Sequence, residues 1–444
     1  MRQSFHVVCA AIGYAGRMRR AFGLVLIASC GRVGFDGLAG VDGSPGGDAG
    51  ATAALVVGTT GAGTGSIHAS GGTLDQDCTG PCTLVVPPGT TLHLVANAAT
   101  GSWLRGWTST CYGRGPCDVV VDHDLSITAE FTPEPNHVFV TSTAHDGAFG
   151  GLAGADAVCK SLGGPAYVAL LSSSTLDWAT RLGTARGFIR PDGVPVADLA
   201  NQLGSGELWS EIAVDETGAR STGSFFDTPS ASTNCADWTT NSGATTSTVA
   251  LFDFGHALAD YAATMFCSMP NKLVCVETDR VVPVVPIPQP NRRVFFSAGI
   301  WTTSSGIGQA DALCAGEATS AGLSGSFHAL LATNGASPIS RFDVLGAPWM
   351  RADGITLAPD WVTSGDFGID LSMDATGTVG AIAATATIGA TAFDAAGDAG
   401  ATCNNWTATS GMTTTIGANV NYSTDLGTTT LSCGQDIHVL CFQD

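Results

Sequence analysis

The chain has 444 residues, 44% of them hydrophobic and 13% charged. That composition excludes a disordered tail or a coiled coil, and at roughly 100–200 residues per domain the length allows two to four domains. With 38 acidic against 18 basic residues the formal charge is −20, which excludes a broad basic surface for nucleic acid; 58 glycines and 7% aromatics fit a loop-rich, mostly β, exported protein.

The first element is the apolar run Ala21–Ala28, directly after Arg19 and Arg20. A basic segment before a short apolar one is the pattern of a signal peptide. The run is too short for a membrane span, which needs about 20 residues. It ends in Ile27-Ala28-Ser29-Cys30, which resembles the lipobox of bacterial lipoproteins, with Ile27 where Leu is usual. The resemblance implies a lipoprotein-type signal over residues 1–30. It also implies lipidation of Cys30, a membrane anchor through that lipid, and residence at the outer membrane or cell surface. A plain secretory signal is the alternative and would release the protein. Met18, just before the arginines, is an alternative start. Residues 31–53 are rich in Gly, Ala and Asp; they cannot bury enough apolar surface to fold and read as a flexible linker.

Residues 54–132 alternate short apolar runs with turns: Leu55–Val57, Cys82–Val86, Thr91–Val95, Val119–Val121 and Ser126–Ala129. The spacing predicts a small β domain, with local cysteine pairs Cys78–Cys82 and Cys111–Cys117. Gly65-Ser-Ile, the two cysteine pairs, Gly106-Trp107 and Ile127–Phe131 together resemble the divergent internalin B-repeat of bacterial surface proteins. Gly61-x-Gly63-x-Gly65 is not a phosphate loop, since neither Lys nor a helix follows.

Apart from Cys9 and Cys30, the cysteines form three groups: Cys78, Cys82, Cys111, Cys117; Cys159, Cys235, Cys267, Cys275; and Cys314, Cys403, Cys433, Cys441. An even number in an exported chain points to disulfides. Zinc fails on spacing, because there is no Cys-x-x-Cys and no nearby His pair. The second and third groups belong to an internal repeat. Ala155-Asp-Ala-Val-Cys159 matches Ala310-Asp-Ala-Leu-Cys314, and Ala169-Leu-Leu171 matches Ala329-Leu-Leu331. Arg190-Pro-Asp-Gly193 matches Arg351-Ala-Asp-Gly354, Asp215-Glu-Thr-Gly218 matches Asp374-Ala-Thr-Gly377, and Cys235-Ala-Asp-Trp-Thr239 matches Cys403-Asn-Asn-Trp-Thr407. The repeat is domain-sized, not a solenoid unit. Between the copies, residues 279–292 include four prolines within Val281–Pro290 and read as an extended, semi-rigid spacer.

Each copy is expected to open on a strand (Val138–Val140, Val294–Phe296). A helix bearing the first cysteine follows (Ala153–Leu162, Gln309–Ser320), and the last two cysteines flank a closing strand (Lys272–Val276, Ile437–Phe442). The ordered set Gly-x-x-x-Ala-Asp-x-x-Cys, Ala-Leu-Leu, Cys-x-x-Trp-Thr and Cys-x7-Cys resembles the endostatin-like (collagen NC10) domain, a variant of the C-type lectin-like fold. It is most similar to the version found in bacterial surface lipoproteins. The resemblance covers residues 136–278 and 293–444. It implies nested pairs: Cys159–Cys275 around Cys235–Cys267, and Cys314–Cys441 around Cys403–Cys433. By chain entropy each long outer loop closed this way contributes on the order of 4 kcal/mol. The fold class expected is α+β, mostly β: two C-type lectin-like/endostatin-like domains after a small all-β repeat domain.

Trp238 and Trp406 follow the second cysteine of each copy, as core tryptophans packed on a disulfide or as ligand-stacking aromatics. Calcium-dependent lectins resemble one another in Glu-Pro-Asn and Trp-Asn-Asp motifs. Glu134-Pro135-Asn136 and Gln289-Pro290-Asn291 occur here, but before each module, and Thr239 and Thr407 stand where Trp-Asn-Asp would continue. Asp227, Asp253, Asp366 and Asp370 are too few for the six to eight oxygens calcium needs. His137 and His145 are lone. No metal or cofactor is implied. His-Glu-x-x-His, Gly-x-Ser-x-Gly and the P-loop are missing, and Asp192, Asp353, Asp215 and Asp374 fit Gly turns. The expectation is a non-catalytic bacterial surface lipoprotein whose tandem lectin-like modules bind an extracellular glycan or protein, and no nucleic acid. A passive structural spacer and a secreted hydrolase are the alternatives.

Overall fold

The computed structural model describes residues 52–205, 208–221, 223–226, 233–251, 263–286, 292–344, 347–358, 361–365, 367–369, 371, 373–378, 386–410, 412–416 and 428–444. Cys30, Asp227, Asp253, Asp366 and Asp370 lie outside them. The fold is α+β and mostly β.

The first eight strands are β1 (Ala53–Thr60), β2 (Gly65–Gly71), β3 (Leu74–Cys78), β4 (Cys82–Val86), β5 (Thr90–Ala98), β6 (Ser102–Thr108), β7 (Cys117–Val121) and β8 (Leu125–Pro133). They form two four-stranded sheets, β4-β1-β8-β6 and β3-β2-β5-β7. The period-2 alternation of the sequence becomes a two-sided sheet. In β7, Cys117, Val119 and Val121 face the core while Asp118 and Val120 face solvent. Leu55, Ile67, Leu94, Trp107, Ile127 and Phe131 fill the space between, each large apolar side chain stabilising by about 1.5–3 kcal/mol.

The next eight strands make the first repeat: β9 (Asn136–Val140), β10 (Tyr167–Ala169), β11 (Arg186–Ile189), β12 (Pro195–Leu199), β13 (Ser224–Phe226), β14 (Thr246–Leu251), β15 (Ala263–Phe266) and β16 (Val274–Glu277). The last eight make the second: β17 (Arg292–Phe296), β18 (Trp301–Thr302), β19 (Phe327–Ala329), β20 (Trp349–Met350), β21 (Met412–Ile416), β22 (Thr428–Ser432), β23 (Asp436–Ile437) and β24 (Leu440–Gln443). The principal sheets run β10-β16-β9-β11-β12 and β19-β24-β17-β20. In both, the opening strand lies antiparallel to the closing strand and parallel to the strand on its other side. Each repeat therefore brings its own ends together.

One helix packs on each sheet, Leu152–Gly163 and Ile307–Ser320. Ala155 and Cys159 are buried in the first, Ala310, Cys314 and Ala318 in the second; the spacing of four is one helical stripe. The repeated Ala-Asp-x-x-Cys landmark has a structural reason. Asp156 accepts the Ala169 N–H at 2.9 Å and pairs with Arg181; Asp311 accepts the Ala329 N–H at 2.9 Å and pairs with Arg341 at 2.6 Å. The helix is thus tied to the start of Ala-Leu-Leu in both copies. Six disulfides complete the frame: Cys78–Cys82, Cys111–Cys117, Cys159–Cys275, Cys235–Cys267, Cys314–Cys441 and Cys403–Cys433. The outer pair of each repeat joins the helix to the closing strand.

The described part of the proline-rich segment, residues 281–286, lies against the first repeat. Val281 bridges Arg186 of β11, the Val282 N–H donates to the Arg186 carbonyl at 3.2 Å, and the Val284 N–H donates to Asp198 at 2.9 Å. Val284 is fully buried with Trp103 and Ile189, and Trp209 packs on them. Val284 gives these described residues an apolar side chain to bury. Among the described residues no helix is long and apolar enough to cross a membrane.

Candidate functional site

Trp238 and Trp406 are core residues. Each is 1% exposed, and their indole N–H groups donate to the carbonyls of Ser172 (2.7 Å) and Ala332 (2.8 Å). The ligand-stacking alternative is corrected accordingly, since a ring without an exposed face has nothing to offer a sugar. Their backbone is unusual. Cys235, Ala236, Asp237 and Trp238 have φ of 53°, 52°, 56° and 65°; Cys403, Asn404, Asn405 and Trp406 have 47°, 53°, 56° and 64°. Each segment is one turn of left-handed helix, strained for L-residues. Asp237 accepts from the Ser174 N–H (2.6 Å) and hydroxyl (2.5 Å), and Asn405 accepts from the Asn334 N–H (2.5 Å). The same latch holds the same turn in both copies.

The other sequence candidates are spoken for locally. His137 lies between Glu277 (3.5 Å) and Glu134 (3.7 Å); His145 meets the Thr143 hydroxyl at 3.2 Å. Asp215 and Asp374 each accept from backbone N–H groups two and four residues on, an Asx-type turn. Asp192 and Asp353 do more than terminate turns. Each is gripped by the arginine two residues before it, Arg190 (3.0 and 2.5 Å) and Arg351 (3.2 and 2.5 Å), in a two-point fork. Among the described residues no three His, Cys, Asp or Glu side chains come together as a metal site.

A cleft of about 890 Å³ opens where the eight-stranded module and the two repeats meet. Its best-built wall is the loop between Cys111 and Cys117, closed by their disulfide. Trp107, fully buried beneath it, donates its backbone N–H to the Gly113 carbonyl (2.9 Å) and its indole N–H to the Gly115 carbonyl (2.7 Å). Gly113 takes φ +66°, which a side chain would resist. The loop thereby holds Tyr112 and Arg114 toward the cleft before any ligand arrives.

Four arginines line the cleft: Arg105, Arg114, Arg190 and Arg292. Two are committed. Arg105 pairs with Glu130 at 2.9 Å and donates to the Val285 carbonyl; Arg190 forks Asp192. Arg114 forms no hydrogen bond or ion pair among the described residues. Its guanidinium lies 5.4 Å from the Trp103 ring centre, and its Nη1 is buried without a partner. Burial pulls this guanidinium down to about 10; the charge of Asp192 opposes that and the charge of Arg190 adds to it. It stays protonated at neutral pH. Arg292 stacks 3.6 Å over the Trp349 ring and donates to the carbonyls of Ala347 (2.6 Å) and Asp343, while its Nη2 is buried and unpartnered. Burial lowers its pKa too, against the charges of Asp343 and Asp444. Burial alone would raise the Asp192 carboxyl; the Arg190 fork, the Val194 N–H and Arg114 outweigh it and hold the group below the usual carboxylate range.

The described lining holds no His, Ser, Lys or Glu, and its two cysteines are bonded to each other. The arrangement offers cation donors and aromatic walls, which suit anion recognition. Sequence reasoning missed Tyr112, Arg114 and Arg292. The available signal was an arginine and an aromatic between two closely spaced cysteines in an acidic chain. No protein-family model matches the chain. A search of curated protein sequences also finds no match.

Proposed function

We propose that the chain is an exported, lipid-anchored bacterial surface protein that binds an extracellular glycan or protein without catalysing a reaction on it. Cys30 carries the anchor in this reading. Residues 54–132 are an internalin B-repeat-like module, and residues 136–278 and 293–444 are endostatin-like, C-type lectin-like domains. The shared sheet order, the paired end strands and the nested disulfides of the two repeats support the lectin-like assignment. The observation that carries binding is the cleft, with two arginines that form no ion pair among the described residues. A buried donor left without an acceptor costs about 1–3 kcal/mol, and a ligand recovers that.

The test is binding of the exported protein to a panel of glycans and matrix proteins, with and without a chelator. Saturable binding that survives chelation is expected. Binding abolished by chelator would replace the arginine cleft with a metal site, and the lack of any saturable ligand would favour a passive spacer.

A further inference from the structure

We propose that the cleft between the three modules binds a carboxylate-bearing saccharide, with Arg114 and Arg292 as the two positions that receive a carboxylate. The inference deepens the binding-protein reading and rests on it. The chain is strongly acidic, at −20, yet four arginines face this one space against two aspartates. Neither aspartate hydrogen-bonds Arg114 or Arg292: Asp192 is forked by Arg190, itself in the lining, and Asp118 meets His93 at 2.7 Å. The remaining positive charge belongs to Arg114 and Arg292. A sugar hydroxyl would accept one hydrogen bond from either but leave the charge unmatched. A carboxylate supplies both the acceptor and the opposite charge to a guanidinium, and its two oxygens fit the planar fork.

Two features favour a saccharide over an acidic peptide. The cleft's size falls in the range of roughly 300–1,000 Å³ typical of small-ligand sites, and the hydroxyl-bearing Tyr112, Thr110 and Thr356 are among its lining residues. The sheet edge at the cleft is also closed. β20 is the outer strand, but residues 355–357 already cover it: Arg351 N–H donates to Ile355 (2.9 Å) and Leu357 N–H to Trp349 (3.0 Å). A peptide finds no open strand to extend there.

The experiment is calorimetric titration of the whole exported protein at low salt with a galacturonate trisaccharide, the neutral galactose trisaccharide and a glutamate-rich peptide. The acidic sugar is expected to bind at least tenfold more tightly than the neutral one. Arg114→Gln, which breaks no hydrogen bond within the described fold, should weaken it at least tenfold with an unchanged melting midpoint; Arg114→Lys should fall between. Arg292→Gln also removes bonds to Ala347 and Asp343, so its melting midpoint is read beside its affinity. Equal affinity for acidic and neutral sugars, or an Arg114→Gln protein that binds like the parent, would overturn the inference and leave the binding reading standing. Binding of the peptide alone would overturn the saccharide assignment. Silence toward these probes and toward the whole panel would sink both.

Discussion

Ala236 sits at φ 52° and ψ 58° with its side chain in solvent. An L-residue held there costs roughly 1–2 kcal/mol. Glycine avoids that cost but gives up more freedom on folding, about 0.5–1 kcal/mol. Ala236→Gly is therefore expected to stabilise the protein by up to about 1 kcal/mol. Asn404→Gly, at the matching position, should gain less, because Asn tolerates this conformation better. Thermal midpoints of both variants check the pair; a lower midpoint for Ala236→Gly would show the turn is not strained. The Asp192 fork makes a second residue-scale prediction. Asp192→Asn leaves a nearly buried Arg190 half-paired, so a loss of roughly 1.5–3 kcal/mol is expected at neutral pH. The folded carboxyl sits below its unfolded value of about 3.9, so its contribution is full above that value and fades as pH falls through the folded one. Urea midpoints of parent and variant should converge in acid; a gap that persists there would rule out the charge as its cause.

At the scale of elements, the ring closed by Cys111 and Cys117 is short. By loop-closure entropy it contributes about 2 kcal/mol, much of it to the order of the loop itself. Replacing both cysteines with serine should leave the sandwich core folded. It should also speed hydrogen exchange at the Trp107 amide, whose acceptor is the Gly113 carbonyl on that loop. Unchanged exchange would mean the Trp107 indole bond to Gly115 suffices to hold it. Strands, the two cysteine-bearing helices and disulfide bonding itself were legible in the sequence, because periodicity is a local signal and an even cysteine count needs no knowledge of the fold. Each helix begins one or two residues before its sequence-based bound, and the closing strands start two or three residues later. The left-handed turns were not legible. Asn and Asp visit the left-handed region singly, but a run of four that includes Cys and Trp has no propensity for it; the disulfide, the buried indole and the Ser174 or Asn334 latch impose it. Arg114 was likewise hidden, since an arginine counts as surface until the ring around it is known to face two other modules.

At the scale of the whole molecule, each of the three modules has its own core, and a small set of contacts joins them, Trp209 of the first repeat packing on the core of the second among them. Beside the buried patch of Trp103, Ile189 and Val284, a few hydrogen bonds cross the junction. The Trp103 indole donates to the Gly193 carbonyl at 3.2 Å, Arg105 to the Val285 carbonyl at 3.1 Å, and Arg351 to the Trp209 carbonyl. None of this shows in a sequence, because the acceptors are backbone carbonyls from distant segments and the linker valines read as spacer. The same junction shapes the cleft, as Trp103, Arg105 and Pro286 lie in its wall. Coupling and binding should therefore fail together. Val284→Asp places a carboxylate at a fully buried site, a cost of several kcal/mol that a junction this small cannot absorb. The expected result is calorimetric unfolding that splits into separate module transitions, with cleft binding lost. Val285→Asp, at a half-exposed neighbour whose carbonyl still accepts from Arg105, should change neither. If Val284→Asp melts as the parent does, the modules are held by something other than this patch. If it melts in pieces yet still binds, the ligand is taken by one module alone and the cleft is not its site.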